Sequence, residues 1–340
     1  MTVLRLCVLI PCRNEAAVIE RKLANLARAD WPEGAHRVLV VDDGSDDGTR
    51  AVAERALREH ADRLPLAYCI DNRHQPGKAG AIASGLDELG SDVELVLLTD
   101  ADVVQSADSL RSFVEAFEAD EQLGMACGTQ RFVHALGGDG GTPVGIAGAG
   151  PAAAPWDRWT AAVRRFESRR GRLFSVHGQL LAWRTALQLR PRAEVAADDL
   201  DLVLTLRSAH PELATRLLPN AVFYEAKPSA GEDVAGQAHR RARAYVQAVR
   251  SAESSSDLQS WSYRVLPLFA PRIAMVGAIL ALLLGGLLFG LIGLAICVAC
   301  LLLFGITATG RHVLRLLTVI ERARRAEGRE PMSTRWEMQR

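Results

Sequence analysis

Two aspartates, Asp100 and Asp102, close the apolar run LLTDADVV (Leu97–Val104) with one alanine between them. A buried strand needs Leu and Val, whereas two carboxylates at its end repel one another unless a cation or a polar ligand lies between them. The pair therefore reads as a metal or ligand site, or as the cap of a following helix patterned by Leu110, Phe113, Val114 and Phe117. Ser106 and Asp108 stand closer to that helix and suit the cap better.

The elements that must position this pair are legible on either side of it. Leu4 to Ile10, Val38 to Val41, Leu64 to Ile70 and Val93 to Leu98 read as short buried strands. Helical patterns separate them, carrying Val18, Ile19, Leu23 and Leu26, then Val52, Ala53 and Leu57, then Ala79 to Leu89. Such alternation implies an α/β fold with a parallel sheet and helices on both faces, and ligands then bind outside the carboxyl ends of the strands. Pro11, Asn14 and Glu15 follow the first strand, Asp42 and Asp43 end the second, Asn72 and Lys78 follow the third, and Asp100 and Asp102 end the fourth. Four successive strand ends on one edge describe a ligand crevice.

Composition narrows the class. The 340 residues carry 40 Lys plus Arg against 40 Asp plus Glu, so no global field points to nucleic acid. Acidic residues gather in the first 130 positions and Arg from Arg158 onward, which suggests a basic face toward a membrane or a phosphorylated ligand. The six cysteines show no disulfide spacing and no secretory signal leads the chain, which fits a reducing cytosol. Cys297 and Cys300 lie in an uncharged apolar segment and read as small helix residues.

That segment, Ile273 to Gly310, is too long for one helix across a hydrocarbon core of about 30 Å. Two short membrane spans within 266–310 are expected, with Gly285, Gly286, Gly290 and Gly293 available for the turn; one tilted span or a re-entrant hairpin is the rival. Arg264 and Arg272 precede the segment, and Arg311, Arg315, Arg322, Arg324 and Arg325 follow it, so both ends belong on the cytoplasmic side. A linker is expected at 251–265, a basic tail at 311–340, and a flexible Gly/Ala/Pro-rich loop at 136–155. The glycines of that loop lack the strand-to-helix setting of a dinucleotide fingerprint, and no G-x-x-x-x-G-K-[ST] occurs.

Seven segments occur in an order that resembles the family 2 glycosyltransferases: IPCRNEAAVI, VVDDGSDDGT, GKAGAIASGL, TDADVV, VHGQLLAWR, ADDLDL and Q-A-H-R-R. The resemblance covers roughly residues 3 to 250 and implies a GT-A, Rossmann-like catalytic domain over 1–250 with a mostly parallel sheet, followed here by C-terminal membrane helices. It implies that Asp43, with Pro11 and Glu15, lines the pocket for the nucleotide base. Asp100 would face the ribose, Asp102 would hold Mg²⁺ or Mn²⁺ on the donor diphosphate, and Lys78 would lie near the nucleotide. Asp199 matches the general base, and Asp198 stands where many members have Glu. His177, Gly178 and Gln179 fall on the acceptor side of the family's cleft; no second ligand at metal spacing accompanies His177. Gln237 and Arg240 match the Q-x-x-R-W of processive members, but Arg241 replaces the tryptophan; these arginines suit a diphosphate or an anionic acceptor.

The expected protein is an inverting glycosyltransferase that moves a sugar from a nucleotide-sugar donor, a UDP-sugar by expectation, to a lipid or lipid-linked glycan acceptor. Its place would be the cytoplasmic face of the inner membrane. Two alternatives stand beside it: a processive polysaccharide synthase subunit, and a non-catalytic nucleotide-sugar-binding membrane partner.

Overall fold

Side-chain alternation along the first strand, β1 (Leu6–Cys12), sets the layers of the fold. Leu6, Val8, Ile10 and Cys12 join one buried apolar cluster, while Cys7 and Leu9 join another on the opposite face. Helices α1 (Ile19–Ala27), α2 (Thr49–Glu59) and α4 (Ser109–Ala119) cover the first face through Ile19, Leu23, Leu26, Ala53, Leu57, Leu110 and Phe113. On the other face lie α3 (Lys78–Glu88) and α6 (Asp198–Ala209), through Ala81, Ile82, Leu202, Val203 and Leu206. A strand covered on both faces must be apolar throughout, which is why β1 reads as an unbroken apolar run rather than an alternating one.

The computed structural model describes residues 4–34, 36–137, 143–146, 155–226, 234–251 and 258–329. Its remaining strands are β2 (Arg37–Asp42), β3 (Leu66–Asp71), β4 (Leu95–Thr99), β5 (Val104–Gln105), β6 (Leu123–Leu136), β7 (Pro143–Ile146), β8 (Leu180–Arg184) and β9 (Ala214–Ala226). They form one sheet in the order β3-β2-β1-β4-β8-β6-β9-β5, with β7 paired to β6. The first four strands run parallel, β8 pairs antiparallel with both β4 and β6, and β9 runs parallel to β6.

The structure differs from the expected boundaries in several places. Pro143–Ile146, inside the expected loop, pairs in antiparallel fashion with Val133 to Leu136 of β6. The rest of that loop beyond residue 137 and before α5 (Pro155–Arg169) lies outside the described residues. The described residues fall into two compact units, one running up to residue 230 and the other within 231–332. Helix α7 (Val234–Ser251), which motif order groups with the sheet, thus belongs to the second unit. Leu258–Val265 of the expected linker is already helical, as the start of α8 (Leu258–Ile306).

Within the second unit α7 packs along α9 (Ala308–Glu327), where Arg243 Nε donates to Glu327 Oε1 at 2.7 Å, and meets α8, where the Tyr245 hydroxyl donates to the carbonyl of Tyr263. Helix α8 is apolar from Leu268 to Ile306, long enough by length and composition to cross a membrane, and almost none of it is buried by protein. It bends at Gly290, whose φ of +62° and ψ of −150° lie outside helical values and favour glycine. The bend brings Gly285 and Gly293 into backbone contact, so that a Cβ on either would collide with the other. Along a straight helix those positions would be about 12 Å apart.

Phe113 is fully buried between α4 and the sheet. Phe113→Ala should destabilise the protein by about 3–5 kcal/mol in chemical denaturation, through lost transfer energy and the cavity left behind.

Candidate active site

Sheet register aligns the polar strand ends. Cys12 pairs with Asp42 and Asp42 with Asp71, so β1, β2 and β3 finish level, while Leu98 of β4 lies opposite Leu9. Because β8 runs antiparallel to β4 with Leu180 opposite Thr99, the residues entering β8, His177 to Gln179, arrive at the same edge as Asp100. The backbone nitrogen of Asp100 and the Thr99 hydroxyl both donate to the Gln179 carbonyl, at 3.4 and 2.9 Å.

At the β1–β2 end of this edge Pro11 is buried within the ladder opposite Val41. Asn14 turns the chain in the left-handed region, φ +55°, a conformation that Asn adopts more readily than most residues. Its backbone nitrogen donates to Ser45 Oγ, and its side-chain oxygen accepts from the nitrogen of Asp46, tying the loop after β1 to the loop after β2. Glu15 follows, its backbone nitrogen donating to Thr49 Oγ1 at 2.7 Å. Asp43 is buried, and its carboxylate accepts from Asn72 Nδ2 at 2.5 Å and from the backbone nitrogen of Gly77 at 2.8 Å; Arg13 Nη1 lies 3.5 Å away. The VVDDGS, NRH and GKAG segments therefore meet at one carboxylate.

Farther along the edge the acids crowd. Lys78 Nζ, at the start of α3, lies 2.8 Å from Asp100 Oδ1 and 3.4 Å from Asp198 Oδ2. Burial works against its charge, but Asp100, Asp198 and Asp199 outweigh it and hold the ammonium protonated above the usual lysine range. Burial first and then the charges of Asp102 and Asp100 push the Glu15 carboxyl up to about 7. The surrounding walls and the charge of Asp100 raise Asp102 as well, against the opposing pull of Lys78 and Lys22. Hard oxygen donors that resist ionising together in the absence of a cation form a set that a dication would relieve. Among the described residues no group of three or more His, Cys, Asp and Glu side chains is arranged to hold a metal by itself.

Asp198 and Asp199 lie in the first turn of α6, where the helix dipole favours negative charge. Burial, followed by the charge of Asp198, raises Asp199 to about 6 despite Lys78. Its Oδ1 accepts from the backbone nitrogen of Leu200 at 2.8 Å. A Cβ at position 178 would stand 3.0 Å from the Asp199 Cβ, so Gly178 gives Asp199 its room. His177 is buried edge-on to Phe223 and receives Arg164 Nη1 at 3.2 Å. Burial, and then the Arg164 charge, lower its pKa to about 3 and keep the ring neutral.

Several residues that sequence reasoning missed complete the site. Asp201 is fully buried and bound by the backbone nitrogen, Nε and Nη2 of Arg192 at 2.5 to 2.9 Å, which fastens the loop leading into α6. Lys22 is fully buried beneath the Asp100–Asp102 turn. Its signal was present: a lysine three residues from Ile19 and four from Leu26 sits on the apolar stripe of α1. Gln237, Arg240 and Arg241 lie on α7 in the second unit, and any part they take in the site rests on motif order. Asp108, not Asp100 or Asp102, occupies the N-cap of α4, and its carboxylate accepts from Ser106 Oγ at 2.7 Å.

Comparison with known proteins bears on the fold and on the segment that carries this edge. Residues 7–139 match the family described as glycosyl transferase family 2. Over 115 residues the chain is 30% identical to a beta-monoglucosyldiacylglycerol synthase of Synechocystis sp., a match covering 33% of this chain and 23% of that protein. A mannosyltransferase of Pyrobaculum calidifontis, PcManGT, solved with GDP-Man and Mn²⁺, superposes with a TM-score of 0.69 at 23% identity, over 96% of this chain and 88% of that one. Residues 1–349 of S. aureus TarS superpose with a TM-score of 0.51 at 16% identity, over 96% and 91% of the two chains. The fold is the α/β GT-A fold of glycosyltransferases. The match to glycosyl transferase family 2 covers less than half of the chain and lies within the domain that carries this edge.

Arg192→Leu would leave the buried Asp201 carboxylate without its cation. It should cost about 3 kcal/mol in chemical denaturation, because an uncompensated charge then remains inside the protein.

Proposed function

We propose that this protein is an inverting glycosyltransferase that uses a nucleoside diphosphate sugar and a divalent ion to glycosylate a lipid or lipid-linked acceptor at the cytoplasmic face of a membrane. The observation that carries the reading is the convergence of Asp43, Asp100, Asp102 and Asp199 along the carboxyl edge of the sheet, with Lys78 linking Asp100 to Asp198, the neighbour of Asp199.

In this reading Asp43 accepts from the nucleotide base, with Pro11 and Glu15 lining the same pocket, and Asp100 faces the ribose. Asp102 would hold Mg²⁺ or Mn²⁺, for which a carboxylate is a hard oxygen donor. When bound, the ion neutralises charge that develops on the diphosphate leaving group. Lys78 adds a fixed positive charge on the same side. Asp199, at about 6 and therefore ionised at neutral pH, takes the proton from the acceptor hydroxyl as that oxygen attacks the anomeric carbon from the face opposite the diphosphate. One direct displacement inverts the anomeric centre, so an α-linked donor gives a β-linked product. His177, neutral, with Gly178, Gln179 and Asp198, orients the acceptor, and Gln237, Arg240 and Arg241 supply contacts to a diphosphate or to an anionic acceptor.

A lipid acceptor is supported by the exposed apolar length of α8 and by the relative whose name places a β-linked glucose on diacylglycerol. The matched segment spans less than a quarter of that relative, so its acceptor enters here as part of the proposal. A UDP-sugar is the expected donor; GDP-sugars belong in the same screen because PcManGT was solved with GDP-Man.

The test is a transfer assay in detergent with UDP- and GDP-sugars, membrane lipid, and Mn²⁺ with and without chelator. Chelator-sensitive nucleotide release that rises with lipid and yields a glycolipid supports the proposal; nucleotide binding without turnover on any donor or acceptor overturns it in favour of a non-catalytic partner. Asp199→Asn should lower transfer by about 10²–10⁴-fold while nucleotide affinity stays within about twofold.

The pH dependence follows from the same group. Because the base works only when ionised, transfer by the wild type should fall about tenfold per pH unit below about 6 and level off above it. A steady-state profile with no acid limb in that range would remove Asp199 from the role.

A further inference from the structure

The Asp100–Asp102 turn is held from below by a row of side chains on one helix. Arg21 Nη2 reaches the Asp102 carbonyl at 3.4 Å. Lys22 Nζ donates to Thr99 Oγ1 at 2.7 Å and to the Val103 carbonyl at 3.2 Å, spanning the turn from one end to the other. Asn25 donates to the Gln105 carbonyl and accepts from the Gln105 nitrogen, both at 2.9 Å. Thr99 Oγ1 passes the connection on to the Gln179 carbonyl at 2.9 Å, at the entry to β8.

Lys22 is the unusual member of this row. It is fully buried, and among the described residues no carboxylate lies within ion-pair distance of its ammonium. A charge taken out of water without a contacting counter-ion is costly, and a methionine of similar length would fill the same space without that cost. Burial lowers the Lys22 ammonium to about 7 while Asp100 and Asp102 across the turn pull the other way, so at neutral pH it holds part of its charge together with its two bonds to the turn.

We infer that Lys22 is a positioning residue for the divalent-ion site, its buried ammonium fixing the backbone of the Thr99–Val103 turn and partly offsetting the repulsion between Asp100 and Asp102 so that both carboxylates are ready for an ion and a diphosphate. The inference rests on the proposed glycosyltransferase reading and adds a residue that touches neither ion nor donor. Supporting groups of this kind tune metal affinity from behind the ligands.

The test is isothermal titration of the full-length protein in detergent with UDP or GDP, whichever the wild type binds, in Mn²⁺ and separately in chelator. Lys22→Met should weaken Mn²⁺-dependent nucleotide binding by about 10-fold or more. Its binding in chelator should stay within about twofold, and its thermal midpoint should hold or rise because a buried charge is gone. Thr99→Val, which keeps the charge and removes one of its two anchors, should give a smaller loss in the same direction. Equal losses with and without Mn²⁺, or Mn²⁺-dependent affinity at the wild-type level in Lys22→Met, would overturn the inference. If Lys22→Met does not fold, wild-type Mn²⁺ affinity in Thr99→Val overturns it. A wild type whose nucleotide binding ignores Mn²⁺ overturns the metal-dependent reading itself, and this inference with it.

Discussion

Repulsion between carboxylates gathered at one sheet edge is the constraint to which the surrounding structure answers. Burial, joined by the charges of Asp100, Asp102 and Asp198, raises the proton affinity of Glu15, Asp102 and Asp199, and Lys78 is in direct contact with Asp100 and Asp198. That ammonium links the end of β4 to the start of α6, two segments about a hundred positions apart in the chain. The helix dipole of α6 and the buried charge of Lys22 act on the same acids from other directions. Negative charge that the protein leaves only partly neutralised therefore remains along this edge.

Rigid supports surround this charged centre. The Arg192–Asp201 clamp fastens the loop before α6, Asn14 and Ser45 lock the first two edge loops together, and the side chains of α1 hold the turn after β4. The supports on α1 and the Asp201 end of the clamp on α6 belong to helices that pack in the apolar core, so the precision of the core is transmitted to the carboxylates. The long apolar helix α8 is built on the opposite principle. Along α8 the large apolar side chains Leu287, Leu291 and Ile292 are more than 70% exposed, and the contact that shapes the helix is between two glycines. Surface of that kind is stable where lipid replaces water.

Local sequence carried much of this. The apolar runs and their periodicities placed β1 to β4 and α3 within one or two residues and named apolar positions on α1 and α2, because burial on both faces leaves no other composition for a central strand. Asp43, Lys78, Asp100 and Asp102 stood out since acids and bases at strand ends have no packing role to explain them, and Asp199 stood out through the resemblance of ADDLDL to a family motif. The expected loop after Leu136 concealed β7, whose Gly-rich and Pro-containing stretch lacks strand propensity and pairs only because β6 extends beside it.

By itself, then, the sequence determined the α/β class, the order of the site motifs, the acids at the strand ends and the apolar segment near the C-terminus. Those features follow from residue type and short-range periodicity, which act over a few positions. Only tertiary structure decided which acids share a cation, that β8 runs antiparallel and so delivers His177 to Gln179 to Asp100, that Asp201 is clamped by Arg192, and that Lys22 lies under the Thr99–Val103 turn. These depend on strand order and on contacts between residues as many as a hundred positions apart. No local pattern encodes such distances; they are settled when the sheet assembles and its two faces are covered.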